Sequence, residues 1–195
     1  MKKLIVKPHL RDMRSYRDSV DPMTMLRRKV LFERRIVLLT DPVDDISARD
    51  LMEELLALDT LEKKLITMYI DSPGGYMEQG FAIMDVMIGL RSKIQTIICG
   101  ECCSMATFIA LTGKKKLMTA NAHWMGHEMS RSSEDYYSKE KYRFEYEEKV
   151  WLQLRKFYMD KTKLTKDDMY KIDHHELWLD ANQCLQKGII DEILG

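Results

Sequence analysis

Two short apolar runs, residues 65–70 and 94–99, each lead straight into a helical pattern. At both junctions stand residues that expose backbone rather than bulk. The first junction is Asp71-Ser72-Pro73-Gly74-Gly75, before a helix expected over residues 77–90. The second is Gly100-Glu101-Cys102-Cys103-Ser104-Met105, before a helix expected over residues 104–111. Strand, helix, strand in this rhythm implies right-handed crossovers and parallel pairing, hence an α/β sheet. Such sheets place their sites beyond the carboxyl ends of the strands. Paired glycines there let backbone approach a ligand closely and present N–H groups to it. A serine where a buried strand becomes a helix has two readings. It is an N-cap, a position serine favours, or a nucleophile beside the unpaired first-turn N–H groups of the helix, which stabilise negative charge. Both junctions open on one sheet edge, so a cleft between them is the natural inference.

The 195 residues suffice for one substantial core, and the reading is one domain over residues 31–195 preceded by an arm. Thirty-one Lys plus Arg balance thirty-one Asp plus Glu, so no overall field argues for nucleic acid or an anionic membrane. A peptide or small partner fits better. No apolar run approaches a membrane span, and Leu4-Ile5-Val6 is too short for a signal-peptide core, which points to a cytoplasmic protein. Four cysteines, three of them within Cys99-Gly100-Glu101-Cys102-Cys103, have neither a disulfide framework nor zinc spacing.

Residues 1–30 hold many arginines and few apolar positions in register, and read as a mobile or partner-dependent arm. A strand over residues 35–40 stops at Asp41-Pro42. A helix capped by Asp44 or Asp45 follows, with Ile46, Leu51, Leu55 and Leu58 at helical spacing. The helix after Gly75 is expected to bury Phe81, Met84, Val86 and Ile88. Beyond a short strand at residues 117–119, His123 and His127 stand four apart in a strand-and-loop pattern without HExxH order, so no metal is expected. Residues 134–161 form one long charged helix with embedded aromatics. Two shorter helices follow, one capped near residues 164–168, the other beginning at Asp180 and ending at Gly188.

These landmarks together resemble the proteolytic subunit of the Clp protease, within the crotonase-like fold. They are Met68-Tyr69-Ile70-Asp71-Ser72-Pro73-Gly74-Gly75, Ser104-Met105-Ala106, the stretch from Asn121 to His127, Leu179-Asp180-Ala181, and Lys187-Gly188-Ile189-Ile190-Asp191. The resemblance covers roughly residues 35–194, most of the folded chain. It implies repeated ββα units with a long protruding helix, and a serine endopeptidase acting on peptides and unfolded proteins through an acyl-enzyme. The implied nucleophile is Ser104, the base His127, and the oxyanion hole the N–H groups of Gly75 and Met105. Counting back from Leu179-Asp180-Ala181 places Glu176 where the family usually has aspartate, with Asp173 or Asp180 as alternatives. Tyr69 matches an aromatic of a partner-docking pocket. The implied assembly is two stacked seven-membered rings around a chamber, serving a Clp-type unfolding ATPase, with no cofactor.

Two departures matter. The run Glu128-Met129-Ser130-Arg131-Ser132-Ser133 lacks the proline and glycines that usually follow the base, and the arm lacks a close match to the family's axial loops. They motivate an alternative from another class, a weak or inert ring subunit with a structural role. A crotonase-like enzyme of acyl thioesters would not need Ser104 and His127 together, and a Ser-Lys peptidase would need a lysine where His127 already serves.

Overall fold

Seven strands form one sheet, and the path through five of them is parallel throughout: β1 (Ile36–Leu39), β2 (Ile66–Ser72), β3 (Ile94–Cys103), β4 (Lys115–Thr119) and β7 (Glu192–Leu194). The remaining pair, β5 (His123–His127) and β6 (Glu176–Asp180), branches from the last residues of β3. There β5 is parallel to β3, and β6 is antiparallel to β5. The computed structural model describes residues 21–129 and 137–195. The chain divides into two compact units, Met1–Arg34 and Arg35–Gly195. In the first, helix α1 (Pro22–Glu33) is capped by Asp21, whose carboxylate accepts from Met23 N–H at 2.8 Å. The other residues of the arm, 1–20, lie outside the described residues, as do residues 130–136.

In the second unit the crossovers are α2 (Asp45–Leu61), α3 (Met77–Gly89) and α4 (Met105–Thr112). Asp44 caps α2 by accepting from the N–H groups of Ile46 and Ser47. The helix buries Ala48, Leu51, Leu55 and Leu58, while Ile46, two residues before Ala48 and so on the opposite face, points to solvent. Helix α3 likewise buries Gly80, Ile83, Met84 and Met87 rather than a face containing Ile88, which is 68 % exposed. The true stripe is rotated because Gly80 packs directly on the Met105 side chain, which brings 80, 83, 84 and 87 inward. Helix α4 is apolar all round and buried from Met105 to Leu111, as a helix enclosed by other elements must be.

Long α5 (Tyr137–Lys161) buries Val150, Trp151, Leu154 and Tyr158 near its C-terminal end. α6 (Lys166–His174) and α7 (Ala181–Gln186) complete seven helices among the described residues. Strand β3 runs four residues beyond the expected Cys99 because it is bulged. Gly100 takes φ 83° where a Cβ would strike the Asp71 carboxylate, and that carboxylate accepts from Glu101 N–H at 2.9 Å in place of a ladder partner. Past the bulge, Glu101, Cys102 and Cys103 pair with His123, Trp124 and Met125. The bulge thus lets one strand serve both the parallel sheet and the branch. Residues 176–180, given no element by the sequence reading, are a strand; Leu177 and Leu179 alternate inward with Glu176, Trp178 and Asp180 outward.

Elsewhere, polar side chains hold the frame. The Arg35 guanidinium donates to the carbonyls of Leu58 and Glu62 at the C-terminal end of α2 and to those of Lys64 and Leu65 just beyond it. Asp168 accepts from Lys187 Nζ at 2.8 and 2.7 Å and from Thr165 N–H and Oγ1 at 2.8 Å each. Burial works to raise the Asp168 pKa, but these donors outweigh it and hold the carboxyl below its ordinary value. Among the described residues no helix is long and apolar enough to cross a membrane, and no cluster of three or more His, Cys, Asp or Glu is placed to hold a metal.

Candidate active site

The two junctions meet because β2 and β3 are neighbours with their carboxyl ends on the same edge. Ser72, fully buried, donates its hydroxyl to Asp41 C=O at 2.7 Å and accepts from Gly74 N–H at 3.2 Å, which fixes the turn at the end of β2. Gly74 follows at φ 89°. A Cβ on it would stand 2.6 Å from Cys103 C=O, 2.7 Å from Ser104 Cβ and 2.8 Å from Met105 N, so only glycine fits and only glycine leaves that nitrogen uncovered. Val43 brackets the next residue: its N–H donates to Gly74 C=O and its C=O accepts from Tyr76 N–H, both at 2.8 Å. In a parallel bridge of this kind the middle residue's own N–H and C=O point away from the bracketing strand. The N–H of Gly75, an exposed residue, is therefore directed away from Val43.

Ser104 sits at φ 52°, ψ −125°, a conformation few non-glycine residues adopt. Its hydroxyl makes no capping hydrogen bond, so it does not take the ordinary N-cap role. The turn is held by backbone: Ser104 N–H donates to Met125 C=O at 2.9 Å, and Ser104 C=O accepts from Thr107 N–H at 3.0 Å and Thr107 Oγ1 at 2.6 Å. Neighbouring Cys103 is no rival nucleophile. Burial, with Glu101 and Glu176 close by, pushes its thiol up to about 11.

The branch supplies the other groups. Two residues beyond Met125, half-buried His127 ends β5 and pairs directly with Glu176 of β6, so their side chains share a face and a cross-strand position. Asp180 pairs with His123 instead, four residues away. Asp173, on α6, accepts from Trp151 Nε1 at 3.2 Å and pairs with Arg155 at 3.1 Å. Of the three acids, register brings Glu176 alone opposite His127. The Glu176 carboxylate accepts from Trp178 Nε1 at 2.8 Å, and among the described residues no hydrogen bond links the Ser104 hydroxyl to the His127 ring or that ring to Glu176. Tyr69, the sixth singled-out residue, lies elsewhere, half-exposed on β2 opposite Leu38 of β1, itself 44 % exposed.

Compared with known proteins, residues 21–195 match the Clp protease family. The chain belongs to the Clp protease family. Among its relatives are the ATP-dependent Clp protease proteolytic subunits of Streptococcus mutans, 34 % identical over 84 % of this chain and 86 % of the relative, and of Lactococcus lactis, 32 % identical over 84 % and 85 %. That of Streptococcus uberis is 32 % identical over 84 % and 86 %. The mixed α/β fold with its largely parallel sheet is that of this Clp-family protease, consistent with the resemblance in sequence. Three parts of the site left no mark that sequence reasoning could use. The Val43 bracket and the Met125 carbonyl act through backbone, and the Thr107–Tyr158 contact behind Ser104 joins residues 51 apart in the chain.

Proposed function

We propose that this Clp-family chain is a serine endopeptidase. Ser104 Oγ attacks the scissile carbonyl while His127 takes its proton, and the oxyanion forms against the N–H groups of Gly75 and Met105. His127 then returns the proton to the departing amine, leaving an acyl-Ser104 ester that water hydrolyses with the same base. Glu176 orients and charge-stabilises the imidazole. The observation that carries the reading is the close approach of Gly74 to Ser104 Cβ and Met105 N, which sets the hydroxyl of a residue with strained backbone beside a backbone nitrogen that any Cβ at position 74 would crowd. The test is labelling with a fluorophosphonate probe beside a Ser104→Ala control. Labelling of the parent and not the variant is expected; equal labelling, or none, defeats the assignment.

A second reading, an inert ring subunit, gains support from the Glu176 carboxylate being engaged by Trp178. It predicts an assembled protein that the probe leaves unlabelled.

The family resemblance extends the proposal to assembly: seven-membered rings stacked in pairs, built through α5, enclosing peptide and unfolded-protein substrates delivered by a Clp-type ATPase in the cytoplasm. Supporting this, Tyr142, Phe144 and Tyr146 of α5 are 75, 51 and 64 % exposed, more aromatic surface than a solvated helix carries. A monomer by light scattering over a wide concentration range would overturn it. Tyr69 beside Leu38 is the proposed docking contact for the ATPase, checked by loss of ATP-dependent but not peptide cleavage in Tyr69→Ala.

A further inference from the structure

Tyr158 reaches the nucleophile turn from behind, out of the long helix α5. Its hydroxyl lies 2.6 Å from Thr107 Oγ1, and Thr107 Oγ1 donates to Ser104 C=O, also at 2.6 Å. Thr107 has one hydroxyl proton and spends it on that carbonyl, so Tyr158 is the donor in the pair. A threonine bonding back to a carbonyl three residues earlier is ordinary in a helix. A fully buried tyrosine completing the chain from another element is not, and both residues are at 0 % exposure. The phenol is fixed by aromatic contacts, its ring centroid 4.2 Å from that of Phe108 and 5.8 Å from that of Trp124. Trp124 precedes Met125, whose carbonyl holds Ser104 N–H. Burial raises the Tyr158 phenol well above its ordinary range, against the lowering effect of the Thr107 bond, so it stays protonated as a donor.

Ser104 C=O and Met105 N–H belong to one planar peptide unit and point in opposite directions from it. Anchoring the carbonyl therefore aims the N–H. We infer that Thr107 and Tyr158 are positioning residues that lock the Ser104–Met105 peptide plane and so direct the Met105 N–H at the oxyanion; this rests on the reading of Ser104 as nucleophile. Without the relay, a turn held at φ 52° has one fewer anchor against relaxing toward a commoner conformation.

The experiment compares Tyr158→Phe, Thr107→Val and Thr107→Ser with the parent in the assembled protein. It measures peptide kcat and KM and the rate of fluorophosphonate labelling of Ser104. A misdirected oxyanion donor harms only the transition state. Tyr158→Phe and Thr107→Val should thus lower kcat about tenfold to a hundredfold with KM nearly constant. Labelling should slow by a similar factor, and Thr107→Ser, which keeps the hydroxyl, should restore most of the rate. If the parent is labelled and both variants turn over normally, the relay positions nothing and the inference fails alone. Losses that track only a lowered Tm or a broken assembly, with Thr107→Ser equally impaired, also overturn it in favour of plain packing. A parent that is not labelled at Ser104 defeats the nucleophile and this inference with it.

Discussion

The two halves of the candidate site are built differently. On the parallel side, Gly74, Gly75, Ser104 and Met105 contribute largely through backbone, in a space where a single Cβ at Gly74 would come within 2.8 Å of three atoms of the second junction. On the branch, His127 and Glu176 contribute through side chains that a two-stranded antiparallel ladder sets opposite one another. Backbone groups cannot be re-aimed by a rotamer change, so the first half demands steric exactness and tolerates almost no substitution. Side chains on a ladder demand register above all, and their fine placement is left to rotamers, as the Glu176 contact with Trp178 illustrates.

The sharpest test of that contrast removes the chemistry itself. Ser104→Ala and His127→Ala should each reduce peptide turnover to background, a loss on the order of a millionfold where the groups act as one unit, with assembly by light scattering unchanged. Gly74→Ala comes next, because its Cβ crowds Ser104 Cβ and the Met105 nitrogen while leaving every reactive group of the site in place. Turnover should fall by roughly a thousandfold as the Met105 donor is covered, and thermal unfolding should report about 2–4 kcal/mol of lost stability. A fully active Gly74→Ala would show that the junction accommodates a Cβ and that steric exactness does not govern this half.

On the branch, Glu176→Gln keeps volume and removes charge, and should lower kcat by about a hundredfold or more with KM little changed. Asp173→Asn weakens the contacts to Trp151 and Arg155. It should cost about 1–3 kcal/mol of stability while turnover stays within a fewfold of the parent. The reverse outcome, with Asp173→Asn inactive and Glu176→Gln normal, would move the acid to α6 and break the register argument. The smallest effect is expected of Ser104→Gly. Relief of φ 52° should raise stability by about 1 kcal/mol in an inactive protein, whereas an unchanged Tm would mean the turn is not strained.

The alternation of strands and helices was legible because burial leaves periodic marks, and both junctions were legible because a glycine pair and a serine stand where a strand gives way to a helix, although each also has an ordinary turn or N-cap reading. The faces of α2 and α3 were less so. Ile46 and Ile88 are apolar at plausible spacing yet exposed; on α3 it was the packing of Gly80 on Met105, not periodicity, that chose the inward side, and on α2 Ile46 falls off the stripe of Ala48, Leu51, Leu55 and Leu58. Strand β6 was invisible for a related reason. Five residues with only Leu177 and Leu179 inward have too short a pattern to stand out, and β6 exists because β5 offers it an edge.

By itself, then, the sequence determined the parallel α/β order, the sheet edge where a site belongs and the two junctions that open on it, since these follow from local preferences of a few adjacent residues; the roles proposed for Ser104, Gly75 and Met105 are what the family resemblance implies. Tertiary structure alone decided which acid faces His127, how the bulge at Gly100 lets β3 carry both halves, and that Tyr158 stands behind the Ser104 turn. Each of these is a contact between segments distant in the chain, fixed by register and packing, and no local pattern encodes which distant partner will arrive.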